Sequence, residues 1–187
     1  VTEVNPFAPP IHDEAAPARS LAGSGTRFFL VSRTKFAVMS LATLGFYDLY
    51  WFYQNWKLTK AHGRSDIWPI ARAIFALFFT HALLRDVVLS AAENGVRTRF
   101  SVQPSAWGFI ILSLLWRLPD PFSLISVFAF VPLLSVQDTI NDIHDRIAPN
   151  ADRNSSFGPG NWVAIVIGLI FWALVLVGMF VPEEALQ

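Results

Sequence analysis

The chain has no cysteine (Cys 0). Disulfide frameworks, thiol catalysis, iron–sulfur clusters and zinc–thiolate sites are thereby excluded. Charge is the second scarcity: 15% of the 187 residues are charged, against about 25% in an ordinary soluble domain. The charges also cancel, with Lys+Arg 14 and Asp+Glu 14, so no basic excess points to nucleic acid as a partner. Apolar residues fill the gap. The chain is 53% hydrophobic and 14% aromatic, with Phe 17 and Trp 7, and its mean hydropathy is +0.44. Disorder over most of its length is excluded, because disorder needs low hydrophobicity and high net charge. An all-α, integral membrane helical bundle is what remains, with hydrocarbon rather than water as its solvent.

Residues 1–26 carry Pro6, Pro9, Pro10, Pro17, Gly23 and Gly25 without a sustained apolar period, which predicts a disordered tail. It lacks the apolar h-region of a secretory signal. Residues 27–187 form the helical membrane domain, with four to five segments near 36–56, 70–92, 107–118, 122–136 and 162–181. The last is the clearest: Trp162 to Val181 has no charge, and about 20 helical residues rise roughly 30 Å, the thickness of the hydrocarbon core. Trp162 stands at its edge as an anchor, and Ala164 with Gly168 offers a small pair where another helix can approach.

Phe36 to Trp56 is long enough to span, interrupted only by Asp48, and crowded with aromatics at its far end. Tyr47, Tyr50, Trp51, Tyr53 and Trp56, followed by Lys57 and Lys60, predict an interfacial, lipid-contacting belt. Ser40, Thr43, Tyr47, Tyr50, Gln54 and Lys57 fall on one polar stripe of such a helix. After a linker containing Gly63, Pro69 can open the next helix at its first turn. That helix, Ile70 to Ala92, carries Arg72, His81, Arg85 and Asp86. Leu118-Pro119-Asp120-Pro121 then breaks a short helical hairpin, and Pro132 predicts a kink in its second arm. Gln137 to Ile147 continues as a polar amphipathic extension, and Asn150 to Gly160 as a loop.

Orientation meets a conflict. The C-terminal tail after Val181 has two Glu and no Lys or Arg, which favours the outside and places Arg97 and Arg99 inside. A full crossing by 70–92 then puts Lys57, Lys60 and Arg64 outside, against the positive-inside rule. The conflict vanishes if one of the first two helices fails to cross.

Zincin, nucleophile-elbow, phosphate-loop and dinucleotide-loop motifs are all missing. The densest polar cluster follows the kinked arm. On a helix Asp138, Asp142 and Asp145 share one face while Gln137, Asn141 and His144 share the next, a pattern that could hold a hard cation or simply be a solvated helix. Asp48, His81, Arg85 and Asp86 are the intramembrane polar set. A charge at bilayer depth costs about 2.5–3.5 kcal/mol on insertion scales, so Asp48 should pair with Arg85 or Arg72, or line a polar path. Asn154-Ser155-Ser156 matches a glycosylation acceptor, a pattern short enough to arise by chance.

At Ser40 to Trp56 the text SLATLGFYDLYWFYQNW resembles the hallmark T-L-G-x-Y-x-x-Y-W-x-Y segment of a family of bacterial multi-pass membrane proteins, a domain of unknown function. The Asn5 to Pro10 opening and the Pro132-Leu133-Leu134 stretch with Gln137 are similar to proteobacterial members. The resemblance implies an inner-membrane location and brings no catalytic residue or cofactor with it. The expected role is a non-enzymatic accessory component that meets membrane lipids and a second copy or another membrane protein. One alternative is a small oligomeric transporter using Asp48, Arg85, Asp86 and Asp138. Another is a headgroup-level enzyme using His144 and its neighbouring aspartates.

Overall fold

The computed structural model describes residues 27–149 and 152–180, so the expected tail over 1–26 and the acidic end after Val181 lie outside the described residues. Within the described residues the regular elements are helical: α1 (Arg33–Ala42), α2 (Phe46–Ala61), α3 (Pro69–Ile74), α4 (Ala76–Glu93), α5 (Val102–Leu114), α6 (Val131–Ile147) and α7 (Pro159–Phe180). Two 3-10 stretches, Leu115–Arg117 and Phe122–Phe130, lie between α5 and α6.

The run Phe36 to Trp56 is not one spanning helix. Leu44 (φ 52°) and Gly45 (φ 86°) turn the chain, and the Gly45 N–H donates to Ser40 O (2.9 Å) while the Leu44 N–H donates to Leu41 O (3.3 Å). These two bonds are the Schellman closure of a helix C-terminus. Leu44 holds the left-handed position of this closure, and Gly45 carries the turn onward at positive φ without a Cβ penalty. The expected polar stripe is therefore split. Ser40 now faces Asp48 across the turn, its Oγ donating to Oδ1 at 2.6 Å. Beyond it α2 returns to the level at which the chain enters α1, where the Phe29 N–H donates to Asn55 Oδ1 (3.0 Å).

The helix expected over 70–92 is bent as well. Pro69 opens α3 as its missing N–H permits, but Phe75 has ψ 36°, far from the helical value. Ile74 and Ala76 beside this bend line the same cleft as Gly45 and Asp48. At the opposite level, Arg64 ahead of α3 donates to Asp86 of α4 at 2.5 Å. The bend thus points the same way as the turn between α1 and α2.

The third hairpin forms as expected, with the break at Leu118 to Pro121. Pro132, however, does not kink its helix; it lies in the first turn of α6, where an N–H is not required. The open ends of this hairpin meet where the Arg99 N–H donates to Thr139 Oγ1 (3.1 Å). Its closed end, with Trp116 and Leu124, shares a groove with Leu174 and Met179 near the end of α7. All three hairpins consequently open toward one polar end and close toward the other.

The aromatic belt expected at the interface is mostly core. Trp51 and Trp56 are fully buried and Tyr47 nearly so, with Phe36 stacked on Trp51 at 5.5 Å. The α1–α2 turn brings these rings inward instead of leaving them on a lipid-facing helix. Of the expected contact set, Tyr50, Lys57 and Lys60 are exposed and Tyr53 is half-buried.

Two helical stretches, Phe122–Ile147 and Pro159–Met179, are long and apolar enough to cross a membrane. The second is scarcely covered by protein: Val163, Leu174 and Val177 are 59%, 62% and 57% exposed. In water each such side chain forgoes about 1.5–3 kcal/mol of burial. α7 leans chiefly on α1, through a close approach at Gly168. A Cβ there would stand 1.9 Å from Ala42 O, and one turn on, Trp172 Nε1 donates to Leu41 O (2.9 Å). The small residue expected to admit a neighbouring helix does so.

Gly168→Leu is expected to push α7 off α1 and lower the melting temperature in detergent by overpacking, at a cost of about 1–3 kcal/mol. The same enlargement at the exposed Gly178, Gly178→Leu, where an added Cβ meets nothing within 4 Å, should leave it unchanged. Equal melting temperatures for the two variants would remove the contact.

Candidate functional site

At the polar end each acid of the α6 cluster has its own cation. Arg33 pairs with Asp138, Arg99 with Asp142 through Nε (2.6 Å) and Nη2 (3.0 Å), and Arg153 with Asp145. Helical spacing aligned the carboxylates, and three arginines from separate segments draw them apart. Among the described residues no three His, Cys, Asp or Glu side chains converge to hold a metal. His144, expected beside that acidic face, is buried in the core with neither ring nitrogen hydrogen-bonded to protein. The i,i+4 partner expected for Asp142, Arg146, is exposed, while Asp142 binds Arg99.

Just inside this layer lies a buried amide network. Trp51 Nε1 donates to Gln137 Oε1 (2.6 Å), and Gln137 Nε2 donates to Asn141 Oδ1 (2.9 Å) and Phe29 O (3.3 Å). Asn55 accepts from the Phe29 N–H and donates to Trp51 O (2.8 Å). The segment entering α1, α2 and α6 are therefore pinned at one level. Asn55 was not singled out from sequence; its signal is a lone amide at i+4 from Trp51 on a face otherwise aromatic.

Asp48 behaves differently from expectation. It is not paired with Arg72 or Arg85. Arg72 stacks over Trp56 (4.5 Å) and Phe79 (5.0 Å), Arg85 is exposed, and Asp86 belongs to Arg64. Asp48 is buried in the first turn of α2, where the helix dipole favours an anion and the Ser40 hydroxyl donates to it. It lines a cleft of about 540 Å³ whose other polar side chains are Ser113 and Ser126. Asp48, Arg85, Asp86 and Asp138 are not brought together. His81 is half-buried and links α4 to α5, its Nε2 3.0 Å from Gln103 Oε1 and its ring edge-on to Trp107.

A second cleft, of about 550 Å³, runs between α1, α2 and the start of α7. Lys35 stands at its polar end, only 4% exposed. Its Nζ donates to Asn154 Oδ1 (2.8 Å) and Ser156 O (2.8 Å), and the Phe157 ring lies 5.9 Å away. Burial pushes the pKa of this ammonium below the usual lysine range, against the pull of Asp152. Sequence reading missed Lys35, although a lysine three residues after a capping serine and directly before an apolar run is a visible signal. Asn154 holds positive φ (48°), and its side-chain nitrogen donates to Leu30 O (3.3 Å). The glycosylation match is thus an internal strut.

No family model, curated protein or solved structure matches this chain.

Gln137→Leu should leave the Trp51 indole and the Asn141 amide without their partner, destabilising the protein by about 1–3 kcal/mol. Equilibrium unfolding in mixed micelles measures this, and a cost no larger than that of the change Glu93→Leu at an exposed position would remove the network from its structural role.

Proposed function

We propose that this chain is a multi-pass component of a bacterial inner membrane that acts through contact with lipid and membrane partners rather than by catalysis. The observation that carries the reading is the uncovered apolar surface of α7, which continues onto the hairpin ends: Phe46, Ile74, Phe78 and Trp116 are all strongly exposed. Such a surface is stable only where hydrocarbon meets it.

In this reading α7 and the α5–α6 hairpin cross, while α1–α2 and α3–α4 enter and return. Lys57, Lys60, Arg64, Arg97, Arg99 and Arg153 then share the polar end. That end faces the cytoplasm by the positive-inside rule. The conflict over Lys57 and Lys60 disappears, because the first two apolar segments double back. A membership in the family suggested by the Ser40 to Trp56 motif agrees with this placement. The transporter alternative is weakened because each of its acids already has a separate partner, and the enzyme alternative because His144 is sealed away from the aspartates' surface.

The absence of native cysteine (Cys 0) makes the topology directly testable. Lys60→Cys and Arg97→Cys, made singly, should both react with a membrane-impermeant maleimide added from the cytoplasmic side of inverted vesicles. Phe78→Cys should resist it until detergent is added. Labelling of positions 60 and 97 from opposite faces would overturn the returning α3–α4 segment, and recovery of the protein in the supernatant after alkaline carbonate would overturn membrane integration.

A further inference from the structure

The cleft beside Lys35 has a polar mouth and an apolar floor. At the mouth are the Lys35 ammonium and Asn161, in the first turn of α7; below them Met39, Tyr50, Phe46 and Ala164 continue the cavity along the helix axes. Its volume is about 550 Å³, within the range of about 300–1,000 Å³ typical of small-molecule sites. The ammonium has three donors, of which two are spent on neutral oxygens, Asn154 Oδ1 and Ser156 O. The ion pairs among the described residues are Arg33–Asp138, Arg64–Asp86, Arg99–Asp142 and Arg153–Asp145, so within them Lys35 is a buried cation with no carboxylate in direct contact, and Asp152 attracts it only from beyond salt-bridge distance. Burying a charge is costly unless an opposite charge answers it. The twenty-two-residue α7 adds the positive end of its dipole at the same mouth. Because α7 leans chiefly on α1, the cleft is flanked by α7 on one side and by α2 on the other, with no further helix required to close it.

We propose that this cleft holds one anionic glycerophospholipid, its phosphate on Lys35 and one acyl chain between α2 and α7 over Met39, Phe46 and Ala164. The inference rests on the membrane reading given above and adds a ligand class and a site to it. A zwitterionic lipid carries its own cation at the headgroup and leaves the Lys35 charge poorly answered. A free phosphate has the charge but nothing for the apolar floor.

The test is thermal unfolding of the delipidated full chain in a neutral detergent, with added phosphatidylglycerol, phosphatidylcholine or inorganic phosphate. Phosphatidylglycerol should raise the melting temperature by on the order of 5 °C through linkage, and the other two should not. Lys35→Met should abolish the rise and Lys35→Arg should keep it. Should Lys35→Met fail to fold, Ala164→Phe fills the floor while leaving the charge, and should also abolish the rise. Lys57→Ala/Lys60→Ala should retain it, since those lysines lie outside the cleft. Equal shifts from both lipids, or a shift that survives Lys35→Met or Ala164→Phe, would overturn the site. A shift from inorganic phosphate matching that of the lipid would replace it with a small-anion site. These failures are separable from failure of the membrane reading, which is decided by carbonate extraction and labelling.

Discussion

In the membrane placement proposed above, ending a helix inside hydrocarbon is the constraint on which this architecture turns. The last carbonyls of a helix have no intrahelical donor, and a bilayer core supplies no water to replace one. In that placement α1 ends at bilayer depth with the carbonyls of Met39, Ser40 and Leu41 occupied. Met39 O accepts from the Thr43 N–H and hydroxyl, Ser40 O from the Gly45 N–H, and Leu41 O from Leu44 N–H and the Trp172 indole. Thr43 serves both sides of the turn, since its hydroxyl also accepts from the Tyr47 N–H at the start of α2 (3.0 Å). With these carbonyls occupied, the chain reverses at Leu44 and Gly45. Reversal returns Lys57 and Lys60 to the end from which α1 departed.

The consequence is a strong division of polarity along the bundle. The outermost layer is made of arginine–aspartate pairs with exposed guanidinium groups, and such surface pairs add little to stability. The layer beneath, Phe29, Trp51, Asn55, Gln137 and Asn141, is buried and mutually satisfied. There each group costs its full desolvation if its partner is lost. Registry between the entering segment, α2 and α6 is therefore fixed by the amides. The outer charges mainly hold the polar end in water.

The all-helical fold and the long apolar last helix were legible from the sequence, and several local devices were legible from single residues: Pro69 at a helix start, Leu118 to Pro121 as a hairpin break, Gly168 as a point of close approach. The break at Leu44–Gly45 was not, because hydropathy averages over the glycine and sees one long, predominantly apolar run. The same averaging sent Trp51 and Trp56 to the interface. An aromatic-rich stretch is compatible with a headgroup belt or with a core, and only the reversal of the chain decides between them. Helical spacing did align Asp138, Asp142 and Asp145, but spacing is silent about Arg33, Arg99 and Arg153, which arrive from 105, 43 and 8 residues away.

The attachment of α7 follows from the solvent it is suited to. Between helices in lipid there is no hydrophobic driving force, since the tails are as apolar as leucine. Association then depends on close backbone approach and on hydrogen bonds, and α7 has one of each on consecutive turns, Gly168 against Ala42 O and Trp172 on Leu41 O. Both lie where α1 ends, so the same carbonyls that permit the hairpin also seat the last helix. A seat confined to this short stretch leaves the first turns of α7 apart from α2, and the buried ammonium of Lys35 sits in that gap. The two buried ionisable groups are accordingly held in different ways. Asp48, at the turn, accepts from a hydroxyl within the protein at the start of a helix, whereas Lys35, at the polar end, is held by neutral oxygens beside an open cleft, with Asp152 only at longer range.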